Sequence, residues 1–397
     1  MKFNKLILKN GLTILHEKRD VPVTTVMLGT KFGAIYESET EKGIAHYIEH
    51  LCFKGTKKRT TRQIAFELEK VGGLLNAFTS DEETAYHVKL PSDYLELAMD
   101  VIFDIFFNPL FPEVEVKKEG NVICEELRMY NDNPRLHVID KIKSSLYKGS
   151  FGMGIGGTEK TVRTITRDQL LEKHKQVYNP ENSILVVVGN NNFEDIVKFA
   201  EQFCPERKGE QLKIPKIEFQ NLKIKETRKD IQQANLTIGV HFPKMSDKER
   251  YISEIVGTFL GGGMSSKLFT EVREKRGLAY AVKTDIDNGK EYGYLIIYIG
   301  TDREKVDEVI KICIEELKKV KNISEEELED TKKQLIGNYE IESEDSAKTA
   351  LHLILEEISG NAKDYYEYEK NINSVTLKDV KEFVSKIKDY SYYALTP

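Results

Sequence analysis

The chain repeats its own pattern, and that restricts its fold more than any single motif does. A strand-like run, ETAYHVKL (83–90), leads into a stretch with helical spacing, SDYLELAMDVIFDIFFN (92–108). A break, PLFPEVEV, precedes a second helical stretch, KKEGNVICEELRMY (117–130). The same order returns as YGYLIIYIG (292–300), TDREKVDEVIKICIEELKKV (301–320) and SEEELEDTKKQLIGNYE (324–340). Self-similarity at about half of 397 residues implies two copies of one fold. Each copy mixes period-two strands with long helices. The fold class is therefore α+β: two duplicated domains, each a mixed or antiparallel sheet covered by helices, expected on one face. The stretch CPERKGEQLKIPKIEFQNLKIKETRKD (204–230) is polar and weakly periodic, as a linker would be. The expected division is an N-terminal domain at 1–210, a linker at 211–225 and a C-terminal domain at 226–397.

Composition narrows the class. A hydrophobic content of 40% with 31% charged residues is globular, and a net charge of −6 without a basic patch argues against nucleic acid. Cys52, Cys124, Cys204 and Cys313 are scattered, with no C-x-x-C pair, and read as free thiols in a reducing compartment. The N-terminal MKFNKLILKNGLTIL holds only a three-residue apolar run before Lys9, too short for a signal peptide. No stretch reaches the ~18 apolar residues of a membrane span. The expected compartment is the cytoplasm.

Chemistry concentrates at His46-Tyr-Ile-Glu49-His50. Histidines four apart share one helical face and can reach one cation, with Glu49 placed to take a proton from bound water. A zinc ion held by two imidazoles needs at least one more protein ligand and an open position. The helical stretch after the break offers Glu119, Glu125 and Glu126; Glu119 and Glu126 share a face, and Glu125 points elsewhere. Aligning Pro112–Glu126 with Ser324–Asn338 sets Thr331 against Glu119 and Asn338 against Glu126, and the second half has no H-x-x-E-H. One site per chain follows, in the first half.

HYIEHLCFKGTKKR, GGLLNAFTS and NVICEEL together resemble the pitrilysin/insulinase family of inverted zinc metallopeptidases. The likeness is to its short branch, which includes the mitochondrial processing peptidase β-subunit and bacterial processing peptidases. The resemblance covers essentially the whole chain. It implies a zinc-dependent endopeptidase acting on short or unfolded peptides in an enclosed chamber, with one Zn²⁺ per chain on His46, His50 and Glu126. Mn²⁺ or Co²⁺ could occupy the same ligands. The resemblance makes Glu49 the general base and Glu119 a supporting hydrogen-bond partner. Asn76 and Ala77 would offer backbone and amide groups to a peptide added as a β-strand. Arg273 and Tyr280, in the second half, would orient the substrate carbonyl and stabilise its oxyanion. The family also implies a homodimer whose partner subunit completes each site, or a heterodimer with a ligand-lacking homologue. A non-catalytic scaffold or partner subunit of the same fold is the competing reading.

Other motifs carry less. Gly152-Met-Gly154-Ile-Gly156-Gly157 fits G-x-G-x-x-G but follows no strand, which argues against dinucleotide binding. Gly261–Gly263 lacks the ending of a phosphate loop and reads as a hinge or close-packed turn. His87 and His137 read as a strand residue and a helix-start residue.

Overall fold

The structure, a computed structural model, describes residues 2–397. Its strands are β1 (Lys2–Ile7), β2 (Thr13–Lys18), β3 (Val23–Thr30), β4 (Leu74–Thr79), β5 (Thr84–Pro91), β6 (Ser183–Gly189), β7 (Lys223–Thr227), β8 (Ala234–His241), β9 (Ala279–Asn288), β10 (Gly293–Thr301) and β11 (Ser391–Thr396). The first α-helices are α1 (Ile44–Cys52), α2 (Thr61–Glu69), α3 (Leu95–Phe107), α4 (Glu113–Asp132), α5 (Pro134–Leu146), α6 (Glu159–Thr164), α7 (Arg167–Val177) and α8 (Phe193–Phe203). They are followed by α9 (Arg250–Gly261), α10 (Val306–Lys319), α11 (Glu325–Ser343), α12 (Ser346–Ser359), α13 (Tyr368–Asn373) and α14 (Leu377–Lys386).

The repeat in the sequence is a repeat of topology. One sheet runs β1-β2-β6-β3-β5-β4 and the other β7-β11-β8-β10-β9. In the first, β2 pairs with β6 in parallel, and the β6–β3, β3–β5 and β5–β4 pairs are antiparallel. Substituting β7, β11, β8, β10 and β9 for β2, β6, β3, β5 and β4 reproduces every direction. Helix α4 and its copy α11 begin at Glu113 and Glu325, which keeps Glu119 opposite Thr331 and Glu126 opposite Asn338.

Helices cover both faces of the first sheet, not one. Along β3, Val26 and Leu28 enter a core shared with Met99 and Ile102 of α3. On the opposite face, Thr25 Oγ1 lies 2.8 Å from Ser346 Oγ of α12, and a Cβ at Gly29 would sit 3.2 Å from Ile354. The reason is visible in β6, whose SILVVVG is buried at every position; a strand without polar alternation needs cover on both sides.

Two compact units form, each with its own core and each discontinuous in sequence. The first comprises residues 2–127, 155–215 and 342–363; the second comprises 128–154, 216–341 and 364–397. Helix α12 thus belongs to the unit of β1–β6. Helix α5 belongs to the unit of β7–β11, where Thr237 Oγ1 donates to the Val138 carbonyl at 2.8 Å. Each half of the chain lends the other's sheet the helix that follows its own long helix.

Candidate metal centre

Helix α1 presents two faces. Ile44, Ala45, Tyr47, Ile48, Leu51 and Cys52 are buried, leaving His46, Glu49 and His50 together on the remaining face. Its N-terminus has no side-chain cap from the preceding residue, Gly43, which adopts φ +96°. A distant carboxylate caps it instead: Glu37 accepts from the Gly43 and Ala45 amides at 3.0 and 2.8 Å. A negative group suits the positive end of a helix. Burial nevertheless pushes Glu37 up to about 7, against the pull of Lys42 at 3.6 Å and of those two amides.

Helix α4 brings the third group. It can approach α1 because position 120 is glycine: a Cβ there would lie 2.5 Å from the Tyr47 hydroxyl. That hydroxyl donates to the Val116 carbonyl of α4 at 2.5 Å, tying the two helices together. The approach leaves His46 Nε2 and His50 Nε2 3.2 Å apart, with Glu126 Oε2 at 3.7 and 3.6 Å from them. Ligand atoms about 2.0–2.1 Å from a tetrahedral metal stand about 3.3 Å from each other, so the three atoms fit around one small cation. Burial, then the neighbouring His50, lowers His46 to about 4, which keeps its imidazole neutral as a ligand must be.

The surrounding groups match a ligand set. Glu119 is buried and places Oε2 3.2 Å from His50 Nδ1, while its Oε1 meets Lys54 Nζ at 2.8 Å. With Nδ1–H turned toward that carboxylate, His50 has its Nε2 lone pair free to bind. Glu49 Oε2 accepts from Thr79 Oγ1 at 2.6 Å, and burial raises its pKa above the usual carboxylate range. Thr79 was not singled out from the sequence; a hydroxyl ending GGLLNAFT carries no mark of its partner thirty residues away. On α4 between the two glutamates, Val122 is exposed whereas Ile123 is buried.

The glycine run also takes on a local role. A Cβ on Gly157 would meet the Lys42 carbonyl at 2.2 Å, and one on Gly43 would meet the Gly156 carbonyl at 2.6 Å. A Cβ on Gly156 would lie 3.6 Å from His46 Nδ1, a buried atom with no hydrogen-bond partner among the described residues. These glycines let backbone close over the start of α1.

Asn76 and Ala77 lie in β4, an edge of the first sheet, beside β5. Arg273 and Tyr280 belong to the second unit. Arg273 sits in a π-helical turn, Phe269–Glu274, with its guanidinium 4.7 Å from the Phe269 ring. Tyr280 is the extra residue of a β-bulge: Ala281 pairs with Gly300 and Ala279 with Thr301. Its ring lies over Gly300, where a Cβ would come within 2.5 Å of it, and it is 52% exposed instead of joining the core. Gly261 is not a turn but the last residue of α9, packed closely on β9: a Cβ there would strike Thr284 at 2.3 Å.

Residues 12–159 match the family described as Insulinase (Peptidase family M16), and residues 164–335 match the Peptidase M16 inactive domain. An uncharacterized zinc protease of Rickettsia bellii is 35% identical over 391 residues, covering 97% of this chain and 92% of that protein. The chain belongs to peptidase family M16. Its fold is that of solved M16-like structures. A Helicobacter pylori protease aligns at a TM-score of 0.91 with 22% identity, covering 100% of this chain and 99% of that one. A chain of the Candida albicans complex III₂ structure aligns at 0.87 with 17% identity, over 99% of this chain and 95% of that one. Among the described residues no helix is long and apolar enough to cross a membrane.

Proposed function

We propose that this M16 chain is a zinc-dependent endopeptidase of short or unfolded peptides. The observation that carries the reading is the triangle of His46, His50 and Glu126 ligand atoms, 3.2 to 3.7 Å on a side. Zinc held there would act as a Lewis acid and lower the pKa of bound water from about 15.7 toward about 7. Glu119 holds His50 in the ligating tautomer. The outward backbone groups of β4 around Ala77 take the peptide as an added strand. Glu49, steadied by Thr79, accepts the proton of the attacking water and returns it to the leaving amine. Tyr280 and Arg273 donate to the developing oxyanion, and a homodimer in which each subunit completes its partner's site is the assembly this reading favours. A cytoplasmic setting accords with four buried free cysteines.

Glu49→Gln should retain equimolar zinc and lose cleavage of an unstructured peptide. Normal cleavage by that variant would remove Glu49 from its role. A protein that binds no zinc and cuts nothing would instead fit the non-catalytic scaffold or partner-subunit reading. Mixing Glu49→Gln with Arg273→Ala chains should restore activity if sites are shared between subunits, and no rescue would refute the sharing.

A further inference from the structure

The two sheets end in equivalent edge strands, and each edge is latched by its own side chain. Across the β4–β5 hairpin, the Ser80 amide donates to the Glu83 carbonyl at 2.8 Å. Hydrogen-bonded pairs alternate from there, so Ala77, opposite Tyr86, turns its amide away from β5 toward the open edge. That amide is not free: it donates to Asn76 Oδ1 at 2.9 Å. Across the β9–β10 hairpin the Gly289 amide donates to the Tyr292 carbonyl at 3.0 Å, so Ile286, opposite Leu295, also points outward. Its amide donates to Asp285 Oδ1 at 2.9 Å. Asn76 lies four residues before Ser80, and Asp285 four before Gly289, so the two acceptors hold the same register position in the duplicated fold.

An unpaired edge invites other strands, and occupying its outward amides blunts that tendency. The acceptors differ in strength. Asp285 is a carboxylate, and a hydrogen bond to an ionised acceptor is about twice as strong as a neutral one. Asn76 is neutral. The strong latch sits in the copy without metal-ligating residues, and the weak one beside Glu49-bonded Thr79 on the strand assigned to substrate.

We propose that Asn76 is an openable latch on the Ala77 amide, displaced when a peptide strand adds to β4, and that Asp285 is its shut counterpart on β9. This rests on the peptidase reading for its use but not for its existence. Asn76 in this role positions no reacting atom; it competes with the peptide carbonyl for one donor and thereby sets affinity.

Amide hydrogen exchange on the full chain tests the latch without any activity. Asn76→Ala should speed exchange at Ala77, Asp285→Ala should speed it at Ile286, and unchanged rates at both would overturn the proposal. Peptide kinetics then test its use. Asn76→Ala should lower KM about fivefold, the worth of one ordinary hydrogen bond, with kcat held. Asn76→Asp should raise KM about fivefold, and Asp285→Ala should leave both constants unchanged. A higher KM in Asn76→Ala would show the carboxamide to be a direct peptide contact and refute the latch. If wild-type protein cleaves no peptide, the peptidase reading fails while the exchange rates still decide the latch.

Discussion

Gly120 carries a strong prediction because two effects of its replacement pull in opposite directions. Gly120→Ala places a Cβ 2.5 Å from the Tyr47 hydroxyl, where ordinary contact begins near 3.4 Å, so α1 and α4 must part by about 0.9 Å. Distances from Glu126 to the two imidazole nitrogens would open from 3.6 and 3.7 Å toward about 4.5 Å, beyond the span of one tetrahedral cation. Closing that gap to bind metal costs about 1–3 kcal/mol of overpacking strain, or roughly 5- to 150-fold in zinc affinity. Yet alanine favours a helix interior over glycine by about 1 kcal/mol, so thermal stability without metal should hold or rise. Zinc affinity is measured by competition with a chromogenic chelator, beside a melting curve of the apo-protein. The double variant Tyr47→Phe/Gly120→Ala should recover affinity, because the next ring atom is 3.4 Å away. Wild-type affinity in Gly120→Ala alone would mean that Tyr47 swings aside without moving α4, and the account of how Glu126 reaches the histidines would fail.

Further expectations concern other parts of the molecule. Glu119→Gln should weaken zinc binding about 10- to 100-fold, seen in the same competition assay, because it loosens the His50 tautomer and leaves Lys54 without its anion. Gly300→Ala should displace the Tyr280 ring, lowering kcat while leaving zinc affinity intact; unchanged kcat would count against Tyr280. Burial lowers His174 to about 3, helped by Arg207 and resisted by its 2.8 Å bond to the Phe106 carbonyl. Its folded pKa lies below the unfolded value near 6.5, so its stabilisation is full above 6.5 and falls by about 1.4 kcal/mol per pH unit toward 3. Denaturant melts from pH 7 to 4 should show that slope, and His174→Gln should flatten it.

Periodicity exposed much of this molecule and concealed a definable remainder. The i, i+4 histidines and the repeated strand–helix–helix order are local patterns, and both appear in the structure as α1 and as matching topologies. Choosing Glu126 over Glu119 needed the family resemblance, since both share a face of α4; depth separates them, Glu119 lying beneath His50 and Glu126 beside both rings. Thr79, Gly120 and the bulge at Tyr280 escaped because each is defined by a neighbour distant in sequence. The pairing of Asn76 with Asp285 was readable in principle from the two hairpins. It required their mouths to be aligned, which turn residues as different as Ser80-Asp81 and Gly289-Lys290 do not suggest.

The exchanged helices constrain how the chain can be made. The sheet of β1–β6 lacks α12 until residues 342–363 have been synthesised, so the unit that holds His46, His50 and Glu126 stays incomplete until residue 363 has been added. Until then the outer face of β3 and β6 must remain apolar and uncovered. A nascent chain of this design therefore has reason to need a chaperone, and cutting it between residues 215 and 216, where the first unit gives way to the second, would yield two fragments that must associate before either is whole.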